Sequence, residues 1–441
     1  MSEDLPFRII EPAARKKAEV LARNLFPGKR RKAAATETES IHDLKERLKV
    51  IREHTRDSMN ALAGQLTAHL VRRYPQLSVV SAADAREAAA YISSISQGVR
   101  TLSINNSSVV IRELKPGLTG NGFTVINSYR NEFSVAERTI RDYWDLPSLL
   151  GTDDTLTDSF DVSISMAGLE EPRAGAAEVK RYLALLGVNA VSAEDGSVFF
   201  LEHFTNIHRD LTEAQKVILV IGLDKIAATR EDAQFVTQCM GIFGMESVLL
   251  GIQPEAAVLP SIAELSLPPA DSGRELHIIL LDNGRANLLK TKYESLLLCI
   301  GCRACNRRCP IRYAFGDAGY LWTPKNYLHG FLDGRVASLD TCLHCEACRA
   351  ECPLDIDLPG LMWAAKEDYI SRNRQPLYHR ILGSPELLAR IGTLPAPLAN
   401  RIKNIGPARV LMEYMVGIDR SANLPDFNFQ TFRKWFARNG Q

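Results

Sequence analysis

The stretch LLLCIGCRACNRRCPIRYAFGDAGY, Leu296 to Tyr320, places four cysteines within eleven residues. A second run repeats the pattern, so that Cys299, Cys302, Cys305 and Cys309-Pro310 are echoed by Cys342, Cys345, Cys348 and Cys352-Pro353. Both read C-x2-C-x2-C-x3-C-P. Two-residue spacing lets a chain wrap one iron–sulfur cubane with three thiolates, while the fourth cysteine, turned away by the proline after it, reaches the cubane of the other copy. On that rule cluster I takes Cys299, Cys302, Cys305 and Cys352. Cluster II takes Cys342, Cys345, Cys348 and Cys309.

Structural zinc is the competing reading, but zinc sites are usually built from two separated C-x2-C pairs, and cysteine triplets followed by C-P favour two [4Fe–4S] clusters. Every iron would be cysteine-ligated, so the module is expected to conduct electrons rather than to catalyse. Arg303, Arg307, Arg308, Arg312 and Arg349 crowd the cysteines. They either offset the clusters' negative charge and raise their potentials or are ordinary surface charge. Residues 311–341 read as short helices and turns. The ninth cysteine, Cys239, stands alone on an apolar helical pattern and reads as a core thiol.

At 441 residues, with 46% hydrophobic and 24% charged residues, the chain has room for two or three globular domains. A formal charge of +1 offers no field for a polyanion, and the single basic run, Gly28 to Lys32, leads into a polar stretch and reads as a linker. No nucleic-acid partner is expected. The first residues, MSEDLPFRIIEP, have no basic-then-apolar export pattern, and the longest apolar run, Val217 to Leu223, is too short to span a bilayer. The expected location is the cytoplasm, with peripheral attachment to the inner membrane left open, and a reducing compartment argues against disulfides.

Ahead of the cysteines, Ile41 to Arg72 shows apolar residues at helical spacing with Ser40 as a candidate N-cap. Short β-rich runs follow at 77–80, 100–104, 123–126, 161–166, 198–201, 217–221, 247–250 and 277–281. Helical patterns fall between them at 82–97, 134–144, 174–186 and 230–243. The alternation predicts a mainly parallel α/β sheet. The turns Glu194-Asp195-Gly196-Ser197 and Asp282-Asn283-Gly284-Arg285 stand where α/β folds place ligand crevices, yet no dinucleotide or phosphate-loop fingerprint occurs. Glu194, Glu202, His203, His208 and Asp210 are either candidates for acid/base chemistry or capping and loop residues.

The order of an α/β region, the segment HIILLDNGRANLL (277–289) and then the paired cysteine motifs resembles the bacterial lactate-utilization iron–sulfur proteins, the B (or F) subunit carrying a LUD domain. The segments NNSSVVIRELKPGLTGNGFTVINSY (105–129), LGVNAVSAEDGSVFFLEHFTNIHRDL (186–211) and KVILVIGLDKIAATREDAQ (216–234) carry the likeness. Family members usually have a lysine where Ser107 and Ser108 stand, and an E-T-G-T turn where this chain has Glu194 to Ser197. The stretch Gly151 to Gly175 also departs from them.

The resemblance implies an N-terminal extension and linker over 1–40 and an α/β LUD domain similar to the NagB/RpiA/CoA-transferase folds over 41–288. An α-helical ferredoxin-like module with two [4Fe–4S] clusters would cover 289–372, and a helical, partner-docking tail 373–441. It implies an electron-transfer subunit of a lactate (2-hydroxy acid) oxidation complex. The tail segment GIDRSANLPDFNFQTFRKWFARNG (417–440) looks like one that leads into a cysteine-rich CCG domain in related subunits. A separate CCG subunit and a second LUD protein are thus expected partners, with a membrane or soluble acceptor. Two rival readings remain: a LUD domain that itself converts a small carboxylate, and an assembly scaffold with structural clusters.

Overall fold

The computed structural model describes residues 5–10, 39–105, 107–128, 181–202, 206–246, 256–257, 259–260, 262–265, 275–311, 323–373, 377–393, 395–428, 430 and 432–440. The runs at 161–166 and 247–250, the helical pattern at 134–144, the stretch 151–175, His203 and Arg312 lie outside them. The chain divides into two compact units, Met1–Met362 and Trp363–Gln441.

The first unit is built on a six-stranded sheet. In spatial order its strands are Ser78–Ala82, Glu275–Leu281, Lys216–Gly222, Leu183–Gly187, Thr101–Ile104 and Thr124–Asn127, and all neighbours are parallel. The register sets His277 opposite Ser78 and Ile218. Central strands covered on both faces should be apolar without alternation. KVILVIG at 216–222 is buried at every position.

Successive residues still point to opposite faces. Leu219, Ile221, Ile278 and Leu280 meet Leu62, Leu66 and Leu70 of helix Met59–Arg73. Ile218, Val220, Ile279 and Leu281 meet Ala88, Ala89 and Ile92 of helix Ala85–Ile95. Each fully buried Leu or Ile contributes about 1.5–3 kcal/mol. Asp84 starts the second helix, its carboxylate accepting from the amides of Arg86 (2.8 Å) and Glu87 (2.9 Å).

Two expectations are corrected. Of the helical pattern read across 174–186, residues 174–180 lie outside the described ones, and its end is strand Leu183–Gly187, buried throughout. A short apolar run such as LALLG does not distinguish helix from strand, and its place between two parallel neighbours decides. The single helix expected over 41–72 is two, Ile41–Asp57 and Met59–Arg73. They part at Ser58, whose ψ of 11° leaves helical geometry. Ser40 caps the first as expected, accepting from the amides of His42 (3.2 Å) and Asp43 (3.5 Å).

A second, mixed sheet runs Ile226–Ala227, Ala190–Ser192, Val198–Leu201, Phe7–Ile10 and Ile262–Leu265. Phe7–Ile10, inside the region read as extension and linker, is buried at all four positions and pairs with Val198–Leu201 and Ile262–Leu265.

The described parts of the second unit form helices Leu377–Leu382, Pro385–Thr393, Ala396–Ile402, Gly406–Val416 and Phe432–Asn439. Lys403 ties the following loop down, its amine donating to the carbonyls of Leu424 and Pro425 at 2.7 Å. Leu411, Tyr414, Phe432 and Phe436 stay exposed.

Candidate iron–sulfur site

The chain enters the first motif through a short 3-10 turn, Glu294–Leu298, whose Leu296, Leu297 and Leu298 are buried. Its last two carbonyls accept from one side chain of the α/β layer. Arg52, 1% exposed, donates Nη2–H to Leu297 O (2.6 Å) and Nε–H to Leu298 O (2.9 Å). Lys225 Nζ reaches Ile300 O at 3.2 Å, on the other side of Cys299. Gly244 backs onto the same loop, where a Cβ would stand 2.9 Å from Cys302 O.

The two motifs share a backbone device. The residue before the second cysteine, Gly301 or His344, and the residue after it, Arg303 or Glu346, all have φ between 49° and 82°. Three of those four are not glycine, and left-handed conformations cost an ordinary residue of the order of 1 kcal/mol or more. The repeated strain wraps each loop around its own three thiols.

Each fourth cysteine stands near thiols of the other motif. Cys309 lines one hollow with Cys342, Cys345 and Cys348. Burial pushes the Cys348 thiol up to about 12, and Cys309, Cys342 and Cys345 add to it. On the other side, burial and then Cys299 and Cys352 raise the Cys302 thiol, and Cys299, Cys302 and Cys352 do the same for Cys305. The flanks are tied as the crossing requires. Glu351, before Cys352, pairs with Arg307 and, at 3.1 Å, with Arg308, which precede Cys309.

All nine cysteines are free of disulfides. Among the described residues no three His, Cys, Asp or Glu side chains could hold a single metal ion. Four thiols, those of Cys309, Cys342, Cys345 and Cys348, line one hollow, a donor set that fits a polynuclear cluster. Cys299 differs from Cys302, Cys305, Cys348 and Cys352, since burial pushes its thiol up but Lys325, Lys225, the Gly301 amide and Arg52 outweigh burial and hold it below its ordinary value. Cys239 is fully buried in helix Arg230–Met240, as a core thiol should be.

The motif arginines are largely answered by carboxylates. Besides the Glu351 pairs, Arg349 lies 3.0 Å from Asp355 and 3.5 Å from Asp357. The cations that bear on Cys299 come from elsewhere, and the sequence reading missed them. Arg52 follows Leu44 and Leu48 along the buried stripe of its helix. A charged residue on such a stripe was the available signal.

The candidate residues of the α/β domain serve the fold. Glu194 accepts from the Arg230 amide (3.2 Å) at a helix start, and Asp195 accepts from the amide (3.0 Å) and hydroxyl (2.7 Å) of Ser197. Glu202 accepts from the His208 amide (2.6 Å), and Asp210 from the Ser103 hydroxyl (2.7 Å). His208 itself is exposed. Arg285 of the LDNGR turn is clamped between Asp224 and Glu113, with Nη2–H to Glu113 Oε1 at 2.8 Å and Nη1–H to Oε2 at 3.0 Å. Burial pushes the Asp224 carboxyl up, but Arg285, Lys225, Lys325 and Arg52 outweigh it and hold it far below the usual range.

His329, in helix Pro324–Leu332, keeps a buried ring Nε2 without a hydrogen-bond partner among the described residues. Burial, with Lys325 and Arg285 near it, pushes this ring down to about 3. A folded-state value below the unfolded one, about 6.5, makes the contribution to stability whole above that pH and lost as pH falls toward 3. Thermal midpoints should therefore drop between pH 7 and pH 5, and less steeply in His329→Leu. Equal slopes would contradict this.

A family model described as a 4Fe–4S dicluster domain matches residues 298–357. The chain is similar to lactate utilization protein B of Bacillus licheniformis, 24% identical over 313 residues, covering 66% of this chain and 62% of that protein. It is likewise similar to that of Bacillus subtilis, 26% identical over 313 residues with 66% and 62% covered. The counterpart in a Geobacillus strain is 25% identical over 292 residues, with 61% and 58% covered. The chain thus spans about three fifths of the length of these relatives. No solved structure matches it. The resemblance drawn from the sequence segments is borne out. Among the described residues no helix is long and apolar enough to cross a membrane.

Proposed function

We propose that the chain is the iron–sulfur electron-transfer subunit of a cytoplasmic L-lactate (2-hydroxy acid) oxidation complex. Cys299, Cys302, Cys305 and Cys352 would hold one [4Fe–4S] cluster, and Cys342, Cys345, Cys348 and Cys309 the other. Such clusters accept and give up single electrons. The observation that carries the reading is the shared hollow of Cys309 with Cys342, Cys345 and Cys348, the arrangement that two crossed cubanes need. The names of the relatives supply the lactate context.

Within this reading the parallel sheet belongs to a LUD domain of NagB/RpiA type. Oxidation of the C–H bond falls to partners, a CCG subunit and a second LUD protein, and electrons leave to a membrane-associated or soluble acceptor. In support, the sequence holds no dinucleotide fingerprint, and Glu194, Glu202, Asp210 and Arg285 are engaged within the fold.

The test uses the anaerobically purified chain alone. Dithionite should reduce its clusters, and L-lactate should produce no dye reduction above background. Steady lactate-dependent reduction by the homogeneous chain, abolished by Glu194→Gln or His208→Gln, would instead make the LUD domain the enzyme.

A further inference from the structure

The two thiol sets stand in different electrostatic surroundings. Arg52 and Lys225 come from the α/β layer and grip the peptides on either side of Cys299, while Lys325 stands near the same loop, in helix Pro324–Leu332 after the first motif. Nearby stand Asp224, Arg285 and Glu113, so cations outnumber carboxylates around this loop. Arg303, within the motif, adds its charge beside Arg112 and Arg335. Among the described residues, no comparable cation lines the hollow of the other set. Its hollow is lined by His344 and Glu346 among mainly apolar residues and thiols, Cys345 is exposed, and Arg307, Arg308 and Arg349 are engaged by Glu351, Asp355 and Asp357.

A cluster gains one negative charge on reduction, and a fixed positive charge in a poorly screened interior favours the reduced state. Arg52 is buried and the Lys225 side chain is 11% exposed, so neither is screened as a surface charge would be. We propose that Arg52, Lys225 and Lys325 hold the cluster of Cys299 at a more positive potential than the cluster of Cys342, and so fix where the first electron rests. The α/β layer is then an electrostatic seat for one end of a two-site wire. One electron given to the Cys342 side passes to the Cys299 side, reducing the second centre as it reoxidises the first. This inference rests on the two-cluster reading above.

The experiment is an EPR-monitored redox titration of the full anaerobic chain, with signals assigned through Cys302→Ser and Cys345→Ser. The first equivalent should reduce the Cys299-side cluster. Lys225→Gln and Lys325→Gln should each shift the one-electron distribution about tenfold toward the other cluster, a fall of about 59 mV in the Cys299-side midpoint. The Cys342-side midpoint should hold, and Lys225→Arg should restore the wild-type value.

Lys325 makes no hydrogen bond among the described residues, so its variant decides the matter where Lys225→Gln disturbs the loop. A first electron on the Cys342 side, no shift in either glutamine variant, or equal shifts at both clusters overturns the proposal. Iron and sulfide counts on the same samples separate that outcome from failure of the two-cluster reading, which a deficit of both would show.

Discussion

Replacing Cys309 by serine is expected to damage the cluster of Cys342, Cys345 and Cys348 and to spare the one whose motif it belongs to. Cys309 lines the hollow of the downstream thiols, and Arg307 and Arg308, just before it, are anchored to Glu351 of the downstream motif. Sequence adjacency would place the damage at Cys299, Cys302 and Cys305. The crossed reading places it on the other side. Iron content should fall from about eight toward about four per chain as one cubane is lost, and the surviving EPR signal should be the one that Cys302→Ser alters. Cys352→Ser should do the reverse. Loss of the Cys299-side signal in Cys309→Ser, with the other intact, would mean local pairing.

The second large effect is expected at Asp224. Its carboxylate faces Arg285 and Lys225, and among the described residues Glu113 is the other carboxylate on Arg285. Removing one partner of a buried pair leaves charge uncompensated in a medium that solvates it poorly, a loss of about 3–5 kcal/mol. Asp224→Ala should therefore lower the denaturant midpoint of the α/β unit sharply, read by circular dichroism on the cluster-free chain. Replacing the equally charged but exposed Asp43 should cost a small fraction of that. Similar midpoints for the two variants would show that the Asp224–Arg285–Glu113 clamp carries no structural weight.

The cysteine spacing was enough to announce two matched motifs, and the proline after each fourth cysteine pointed to a crossing, with which the place of Cys309 beside Cys342, Cys345 and Cys348 agrees. The strands at 198–201, 216–222 and 275–281 were legible because β-branched and apolar runs bounded by polar turns have few alternatives. LALLG was not legible, since leucine and alanine favour helix locally and tertiary pairing overrode them. Phe7–Ile10 escaped for a related reason: its partners, Val198–Leu201 and Ile262–Leu265, lie far along the chain.

At the site, the candidate ligands were legible in the local sequence but their electrostatics were not. Arginines beside cysteines left cluster-offsetting charge and ordinary surface charge both open, and Glu351, Asp355 and Asp357 answer Arg307, Arg308 and Arg349. Arg52, which does press on the first loop, acts across a sequence separation of 246 residues. No local pattern encodes such a contact.

The most direct measurement of the central claim is the iron, acid-labile sulfide and zinc content of the chain purified without oxygen. Eight thiols in two crossed sets predict about eight irons and about eight sulfides per chain, with no stoichiometric zinc. About two zinc ions and no labile sulfide would contradict the account, leaving these cysteines as structural metal sites without a path for electrons.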